Sequence, residues 1–315
     1  MSISNGASAR GAAILAAAFV HSIAAAQAPA PVPVVKEGIT VKVSQHVYVI
    51  PDQKASMVPN VGIIVGTRAT LVVDPGLGPA SGQAVLREVA KVSRNTELYI
   101  VNTHFHSEHT TGEAAFPADT KIIRAAAQQQ ELEELGMQHV ARFSKMSPAA
   151  ADVLKDIASF RKPAEIFDRE KTLDLGGVRV RLMMLGPGHT KGDTAIFVEG
   201  DRVLFSGDLA MKNVFPVFST AQSSRSWLAS LDELDKLRAT TLVPAHSDIG
   251  DPSTIEAYRG YLKAVRARVG ELKREGKSSD EAAELLRAEF AKKYPDWAQP
   301  LRVHTAVTAV YRELP

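Results

Sequence analysis

The sequence contains no cysteine at all. This absence excludes a disulfide framework, a thiolate metal ligand and a thiol nucleophile, so a metal would have to be held by His, Asp or Glu. The chain also has little net charge, because 37 Lys and Arg residues nearly balance 35 Asp and Glu residues. A net charge of +2 does not indicate a nucleic-acid partner. The 315 residues suffice for one large domain or two small ones.

The N-terminal segment does not have the pattern of a folded domain. Arg10 precedes a short apolar run over residues 11–20, and small residues follow at 24–26. This order predicts a secretory signal peptide over residues 1–26 and a Pro- and Ala-rich leader over residues 27–38. A soluble tail and a membrane anchor are the alternatives, but the run is too short to cross a bilayer comfortably. We therefore expect a periplasmic or secreted protein with no stable membrane anchor.

The densest chemical pattern of the chain lies in residues 97–112. An apolar run ends there, and four potential metal ligands follow within six residues, namely His104, His106, Glu108 and His109. In an extended segment, alternation would put the first three on one side of the chain, and a turn directly afterwards would bring in His109. Imidazole and carboxylate are ligands that zinc and similar divalent metals accept. The alternative is a polar surface loop that is rich in histidine.

This stretch resembles the signature of the metallo-β-lactamase superfamily, in which His-x-His-x-Asp-His follows a buried strand. Glu108 stands at the position where that family normally has Asp. Three further stretches of the family pattern follow in the expected order, each after an apolar run: Gly188-His189-Thr190, Phe205-Ser206-Gly207-Asp208 and Pro244-Ala245-His246. The resemblance covers roughly residues 40 to 250.

Strand and helix patterns occur in both halves of the chain. The runs that predict strands are 39–43, 46–50, 61–65, 69–73, 98–101, 122–123, 171–175, 178–185, 194–198, 202–205 and 241–243. The runs that predict helices are 83–92, 125–161, 226–237, 253–274 and 279–293. Two sheets packed face to face and covered by helices would accommodate this order, which matches the αββα four-layer sandwich that the resemblance implies. We expect a hydrolase domain over residues 39–252, with residues 253–315 packed on it as a helical segment.

The helical stretch over residues 125–161 interrupts the strand rhythm. In the family an insertion here often covers the metal site, so Met137, Phe143 and Met146 could form an apolar pocket wall. We favour the alternative, in which they pack the helices on the core, and we place His139 on the surface.

The resemblance implies one ligand set shared between two metals: His104, His106 and His189 for the first, Glu108, His109 and His246 for the second, and Asp208 bridging both. The expected metal is Zn²⁺, two per chain, with other divalent metals as alternatives. Glu108 and Asp208 are the expected catalytic residues. Asp74 is expected either to orient the metal loops or to form a simple turn, and Lys191 either to face solvent or to meet a substrate carboxylate.

The implied activity is hydrolysis of an ester, lactone, thioester or lactam in a small-molecule substrate by a hydroxide that bridges the metals. The lack of cysteine excludes the subclass of true metallo-β-lactamases that uses a cysteine ligand. Asp208 is typical of superfamily members that cleave thioesters, lactones or phosphoesters. The alternatives are a β-lactamase proper, a phosphodiesterase on the same fold, and a non-hydrolytic metal-binding or redox protein. The sequence leaves the oligomeric state open.

Overall fold

The structure, a computed structural model, describes residues 1–2, 32–219 and 222–315. The expected signal peptide over residues 1–26 and the first part of the leader lie outside these ranges, apart from the first two residues. Within the described ranges, no helix is long and apolar enough to span a membrane.

The first sheet has seven strands in sequence order: β1 (Val41–Lys42), β2 (Val47–Ile50), β3 (Val61–Val65), β4 (Ala69–Val73), β5 (Glu97–Val101), β6 (Lys121–Ala125) and β7 (Glu165–Phe167). Strands β1 to β4 pair antiparallel and β4 to β7 pair parallel, so the sheet is mixed. The carboxyl ends of β4 and β5 therefore meet at one edge, and this edge carries the histidine-rich stretch.

The second sheet has five strands in the order β12, β11, β10, β9, β8. They are β8 (Glu170–Asp174), β9 (Arg179–Met184), β10 (Thr194–Val198), β11 (Val203–Gly207) and β12 (Thr241–Pro244). Strands β8 to β11 pair antiparallel, whereas β12 runs parallel to β11. The ends of β11 and β12 thus lie side by side and lead into the loops with Asp208 and His246.

The helices are α1 (Gly78–Val92), α2 (Ser107–Thr110), α3 (Ala126–Ser144), α4 (Pro148–Leu154), α5 (Ser224–Lys236), α6 (Ser253–Arg274), α7 (Ser279–Lys293) and α8 (Val303–Glu313), with 3₁₀ turns at Thr111–Ala115 and Pro300–Arg302. Helix α7 starts with a capping box, in which Ser278 and Glu281 satisfy each other's backbone N–H groups.

Three apolar clusters define the layers. One lies between the sheets and joins first-sheet residues such as Leu71 to second-sheet residues such as Phe205. A second packs α1 on the outer face of the first sheet. The third packs α5 to α8 on the outer face of the second sheet around the fully buried Trp227. The helix, sheet, sheet, helix order confirms the four-layer sandwich expected from the sequence.

Most expected elements are present, and the differences have local reasons. Strands β3, β4 and β10 and helices α6 and α7 have the expected bounds. Strand β7 was not expected, because it is a three-residue edge strand in which Ile166 is exposed and no apolar alternation marks it. The helical stretch predicted over residues 125–161 is interrupted after Ser144, and its second helix ends at Leu154.

Candidate metal centre

The structure gathers all seven candidate ligands at one edge of the sandwich. They come from loops that follow or precede strand ends: His104, His106, Glu108 and His109 after β5, His189 between β9 and β10, Asp208 after β11, and His246 after β12. Three groups of donor atoms lie close enough to hold a metal ion, each with its atoms within 4.8 Å of one another: His104, His106 and His189; His104, His109 and Asp208; Glu108, His109 and His246.

The local geometry of the His-rich stretch differs from the expected alternation. Strand β5 ends at Val101, the chain bends over residues 103–106, and the single-turn helix α2 begins at Ser107. Glu108 and His109 are therefore neighbours on one helical turn, not residues on opposite sides of a strand. The expectation that Glu108 continues the alternation of His104 and His106 was wrong, although all four residues still meet.

The first group consists of ring nitrogens only. His104 Nε2 lies 3.1 Å from His106 Nδ1, and His189 Nε2 lies 3.3 Å from the same atom. Ligand nitrogens about 2.0–2.1 Å from a tetrahedral ion are about 3.3 Å apart, so these spacings fit one bound ion. His104 and His189 are almost fully buried, with exposed fractions of 0% and 2%.

The group of Glu108, His109 and His246, called the second group below, combines a carboxylate with two imidazoles. Glu108 Oε1 lies 3.8 Å from His109 Nε2. Asp208 stands between the groups, because its Oδ2 is 3.5 Å from His189 Nε2 and its Oδ1 is 4.0 Å from His246 Nε2. One carboxylate is thus within reach of residues from both groups.

Three buried polar atoms of this site have no hydrogen-bond partner among the described residues. They are Glu108 Oε2, His109 Nε2 and Asp208 Oδ1. A buried polar atom without a partner is costly, and such atoms are rare in native proteins. Because His109 shares one close donor group with Glu108 and another with Asp208, and because these atoms are of the kinds that bind divalent cations, the residues fit a metal site.

The outward nitrogens of the rings are fixed by hydrogen bonds. His109 Nδ1 lies 2.9 Å from Asp74 Oδ2. Asp74 also accepts hydrogen bonds from the backbone N–H of Thr103 at 2.7 Å and from its hydroxyl at 2.8 Å. That hydroxyl lies 3.1 Å from His104 Nδ1. Asp74 therefore orients His109 directly and His104 through Thr103. Of the two roles expected for Asp74, the structure supports orientation of the metal loops and not a simple turn.

Backbone carbonyls orient two further rings. His189 Nδ1 lies 3.2 Å from the carbonyl oxygen of Val217, and His246 Nδ1 lies 3.0 Å from that of Val58. A donating Nδ1–H leaves Nε2 as the free lone pair, so both rings present Nε2 to the centre.

The rings of the first group are held in the neutral form. Burial, reinforced by the neighbouring histidines, lowers the pKa of His104 and His106 well below the usual range. Burial also lowers the pKa of His189. A metal binds the neutral imidazole, so these rings are ready to act as ligands.

The second group carries an excess of negative charge. Burial opposes the charged form of His109, but Asp74, Glu108 and Asp208 outweigh it and raise the pKa of His109 to about 9. Burial raises the pKa of Glu108. Burial alone would also raise the pKa of Asp208, but nearby histidines and, more weakly, Arg302 lower it. In the metal-free protein a proton on His109 balances part of this charge, and a bound cation would replace it.

Two acids that support the His189 loop were not singled out from the sequence. Asp193 accepts hydrogen bonds from the backbone N–H groups of Gly188 and Thr190 at 3.1 and 2.9 Å, and from the Thr190 hydroxyl at 2.7 Å. Glu131 of α3 accepts from the N–H groups of Lys191 and Gly192 at 3.0 and 2.9 Å. The acid four residues after His189 was a local signal for Asp193, whereas Glu131 is distant in sequence.

His139 is buried, so its expected place on the surface was wrong. Its ring stacks on that of His106, with centroids 4.1 Å apart and planes 9° apart. His139 Nδ1 accepts hydrogen bonds from Ser107, at 3.3 Å from its backbone nitrogen and 3.1 Å from its hydroxyl. Burial, reinforced by Arg142, lowers the pKa of His139 to about 3. A neutral ring of α3 thus covers one face of His106.

A cavity of about 480 Å³, the substrate cavity, opens beside Glu108 and His246. Phe143 and Met146 line it, so the expectation of core packing holds for Phe143, which also packs in the core, and was wrong for Met146. Phe143 is buried in an apolar cluster, but Met146 is 56% exposed at the cavity. Met137 is also exposed and does not pack in the core. Lys191 faces solvent and is not among the lining residues, as favoured from the sequence.

Comparison with known solved structures supports the same fold. A metallo-β-lactamase from Pontibacter korlensis covers 71% of this chain and 98% of its own, with 18% identity and a TM-score of 0.57. A stereoselective inverting sec-alkylsulfatase from Pseudomonas sp. covers 87% of this chain and 50% of its own, with 15% identity and a TM-score of 0.66.

Two curated relatives are hydrolases. A hydroxyacylglutathione hydrolase from Methylococcus capsulatus is 28% identical over 220 residues, which are 67% of this chain and 72% of the relative. A linear primary-alkylsulfatase from Pseudomonas sp. is 24% identical over 218 residues, or 58% of this chain. The match spans only 40% of the alkylsulfatase.

The sequence profile of the metallo-beta-lactamase superfamily matches residues 57–246, a range that contains all seven candidate ligands. The profile match, the hydrolase relatives and the buried His and Asp cluster agree with one another. The protein is a metal-dependent hydrolase, and the chain belongs to the metallo-beta-lactamase superfamily.

Proposed function

We propose that the protein binds two zinc ions and hydrolyses an ester, thioester, lactone or lactam in a small-molecule substrate. The position of Asp208 carries this proposal. Its two carboxylate oxygens lie near His189 and His246, which belong to different donor groups, and Oδ1 has no partner among the described residues. A single carboxylate between two donor groups is suited to bridging two cations.

On this proposal the residues would divide between the two ions as the resemblance implies. His104, His106 and His189 would hold the first, Glu108, His109 and His246 the second, and Asp208 both. When bound, zinc supplies a Lewis acid that activates water near neutral pH and polarises the bond to be cleaved.

The chain itself positions these groups and moves a proton. Glu108 lines the substrate cavity, and its buried Oε2 has no partner among the described residues. Oε2 is therefore available to accept a proton as water adds to the acyl carbon and to return it to the leaving group as the acyl bond breaks. Asp74 keeps His109 oriented during this cycle through the hydrogen bond to Nδ1.

A sulfate ester on an alkyl chain is the second candidate substrate. The sec-alkylsulfatase structure covers more of this chain than the metallo-β-lactamase structure does, 87% against 71%. The substrate cavity also joins apolar residues such as Met146 to basic ones such as Arg302, which suits an alkyl chain with an anionic end. The position of Asp208 suits a carboxylate bridge, and such an Asp is typical of superfamily members that cleave thioesters and lactones, so we place acyl substrates first.

Metal analysis and a substrate screen test the proposal. We expect about two zinc ions per chain and hydrolysis of at least one of the thioester, lactone or carboxylic-ester substrates. Nitrocefin tests the β-lactamase alternative, aryl phosphates the phosphodiesterase alternative, and alkyl sulfates the second candidate. One zinc ion per chain, or activity confined to aryl phosphates or alkyl sulfates, would contradict the proposal, whereas activity confined to nitrocefin would narrow it to the lactam and favour the β-lactamase alternative. Redox activity without hydrolysis would favour the non-hydrolytic alternative.

We also propose that the mature protein starts near Gln27 and functions in the periplasm or outside the cell. Arg10, the apolar run that follows it and the small residues at 24–26 support this. Mass spectrometry of the protein from its native host would give the N-terminus. A soluble cytosolic form that retains Met1 would contradict export.

A further inference from the structure

The substrate cavity is closed on one side by a segment that the family profile does not include. The profile ends at residue 246, whereas Asp296, Ala298, Gln299 and Arg302 line the cavity together with Glu108 and His246. Residues 296–302, the C-terminal wall, therefore contribute features that the fold family does not determine.

Backbone pairing holds the C-terminal wall against the loop that follows Asp208. The N–H of Ala298 donates to the carbonyl of Asn213 at 2.8 Å, and the N–H of Phe215 donates to the carbonyl of Ala298 at 3.1 Å. The ring of Trp297 packs on that of Phe215, with centroids 5.2 Å apart. These contacts fix the C-terminal wall relative to the loop that follows Asp208.

Arg302 is half-buried at the cavity and donates one hydrogen bond, from Nη1 to the carbonyl of Phe215 at 3.3 Å. Within the described ranges it forms no ion pair with a carboxylate. A guanidinium has five N–H donors in a planar fork that matches a carboxylate or another oxyanion. Lys212 lines the same cavity and likewise has no carboxylate partner among the described residues.

The acids that line the cavity do not cancel this charge. Asp248 pairs with Lys54 at 3.2 Å. Asp52 is buried and accepts hydrogen bonds from backbone N–H groups, including that of Ser247 at 2.8 Å. Asp296 is exposed and forms no ion pair with Arg302 or Lys212 in the described part of the chain, and Glu108 belongs to the metal centre. Two unpaired cations therefore remain on the side of the cavity formed by the C-terminal wall and the loop after Asp208.

We propose that Arg302 and Lys212 form an anion subsite, so that the preferred substrate is an ester with a remote oxyanion and a short apolar spacer. The oxyanion would bind the two cations while the spacer lies against Phe143 and Met146, with the bond to be cleaved at Glu108 and His246. This inference rests on the proposed hydrolase function and narrows its substrate class.

Two esters of equal length test the subsite. Mono-4-nitrophenyl glutarate carries a terminal carboxylate where 4-nitrophenyl pentanoate carries a methyl group. We expect the zinc-loaded, full-length protein to favour the glutarate by about tenfold or more in kcat/KM, mainly through a lower KM. The preference should shrink as salt is raised, because the subsite is partly open to solvent.

Variants of Arg302 identify its contribution. Arg302→Met keeps an unbranched side chain but removes the guanidinium group and its charge, and should lower the ratio of the two kcat/KM values several-fold, with Lys212 retaining the remainder of the preference. Arg302→Lys should retain part of the preference. Arg312→Ala, which removes an exposed arginine of α8 that does not line the cavity, should leave the ratio unchanged. Zinc content and unfolding temperature are measured for each variant, so that loss of folding is recognised.

Equal use of the two esters, or an undiminished preference for the glutarate in Arg302→Met, would overturn the subsite. If neither ester is cleaved, calorimetry with the non-hydrolysed anilides of glutaric and pentanoic acid separates the two proposals. Tighter binding of the glutaric anilide that is lost in Arg302→Met would support the subsite while ester hydrolysis fails. Equal binding of both anilides would overturn the subsite itself.

Discussion

The two halves of the metal centre differ in donor type and in access. His104, His106 and His189 form a closed half, in which three ring nitrogens face one another and burial keeps the rings neutral. Glu108 and His246 belong to the open half, where a carboxylate takes part and the side chain of His246 is 22% exposed at the substrate cavity.

This difference indicates a division of work. A closed set of neutral nitrogens favours tight retention of a cation, since little water competes for its place. The open half carries the acid that can exchange protons and the face that substrate reaches. We therefore expect changes in the closed half to act on metal content first, and changes in the open half to act on turnover first.

The largest effect is expected from His189→Ala. This change removes one of the three closed-half donors, so we expect the loss of the first metal and a fall of hydrolysis to background. Metal binding to the folded state stabilises it, so the unfolding temperature of the wild-type protein should drop on chelation. The variant should show a smaller drop, because only the second ion remains to be removed. Metal analysis and unfolding with and without a chelator measure both results.

His304→Ala is the control for that change, because His304 is an exposed histidine of α8. It should keep wild-type metal content and activity. A His189→Ala protein with full activity would remove the basis for the closed half and for the assignment of the ligands.

Glu108 tests the open half, and its removal should cost about 10²–10⁴-fold in kcat, the range of general acid–base catalysis. Glu108→Ala leaves His109, Asp208 and His246 for the second metal but removes the carboxylate whose Oε2 lies beside these ligands without a partner among the described residues. Glu108→Asp restores the residue that the family normally has and should retain metal and substantial activity. Zinc content and kcat of both variants give the gap between them.

Glu275→Ala, the loss of an exposed acid next to α6, serves as the control and should change neither quantity. If Glu108 pointed away from the reaction and the protein worked with one metal, Glu108→Ala would leave both metal content and kcat unchanged. That result would also contradict the proposed difference between the two halves, in which the open half acts on turnover.

Asp74→Asn acts on both halves at once, and we expect a milder loss of about 10–100-fold in metal affinity or activity. The amide cannot accept the Nδ1–H of His109 as the carboxylate does, and its interaction with Thr103 is weakened. Asp74 has a φ of 55°, a conformation that Asn tolerates, so the backbone should not change. An unchanged metal affinity would show that the rings hold their orientation without Asp74.

The sequence predicted the groups that meet at the centre better than it predicted their surroundings. His104, His189, Asp208 and His246 each follow an apolar run and carry a family pattern, so their convergence at one sheet edge could be expected. The backbone conformation of the His-rich stretch could not be predicted. Helix α2, which begins at Ser107, has only four residues, so its formation depends on tertiary contacts.

Residues that support the centre from a distance had little or no local signal. Glu131 and His139 lie in a helical stretch with the ordinary spacing of polar and apolar residues, so the pattern does not mark them. They gain their partners only because α3 packs against the loops that carry the metal ligands. Arg302 is separated from Asp208 by several helices. Contacts of this kind depend on the packing of whole elements, which periodicity does not reveal.

The smallest effect is expected from His139→Phe. This change tests how far the closed half depends on the His139 side chain that covers His106. Phenylalanine can keep the ring stacked on His106, but it removes the acceptor for the backbone N–H of Ser107. A buried N–H without a partner costs about 1–3 kcal/mol, so the free energy of unfolding should fall by that amount.

The affinity for the first metal should fall by up to about tenfold, because Ser107 adjoins His106 and sets where its ring lies. Competition with a chelator measures the affinity, and the absorption spectrum of the cobalt-substituted protein reports the geometry of the first site. Gln138→Ala, an exposed neighbour on α3, controls for changes to the helix. Lower stability with unchanged affinity and an unchanged spectrum would show that His139 only packs the helix. The closed half would then owe its geometry to its own ligands and to Asp74 alone.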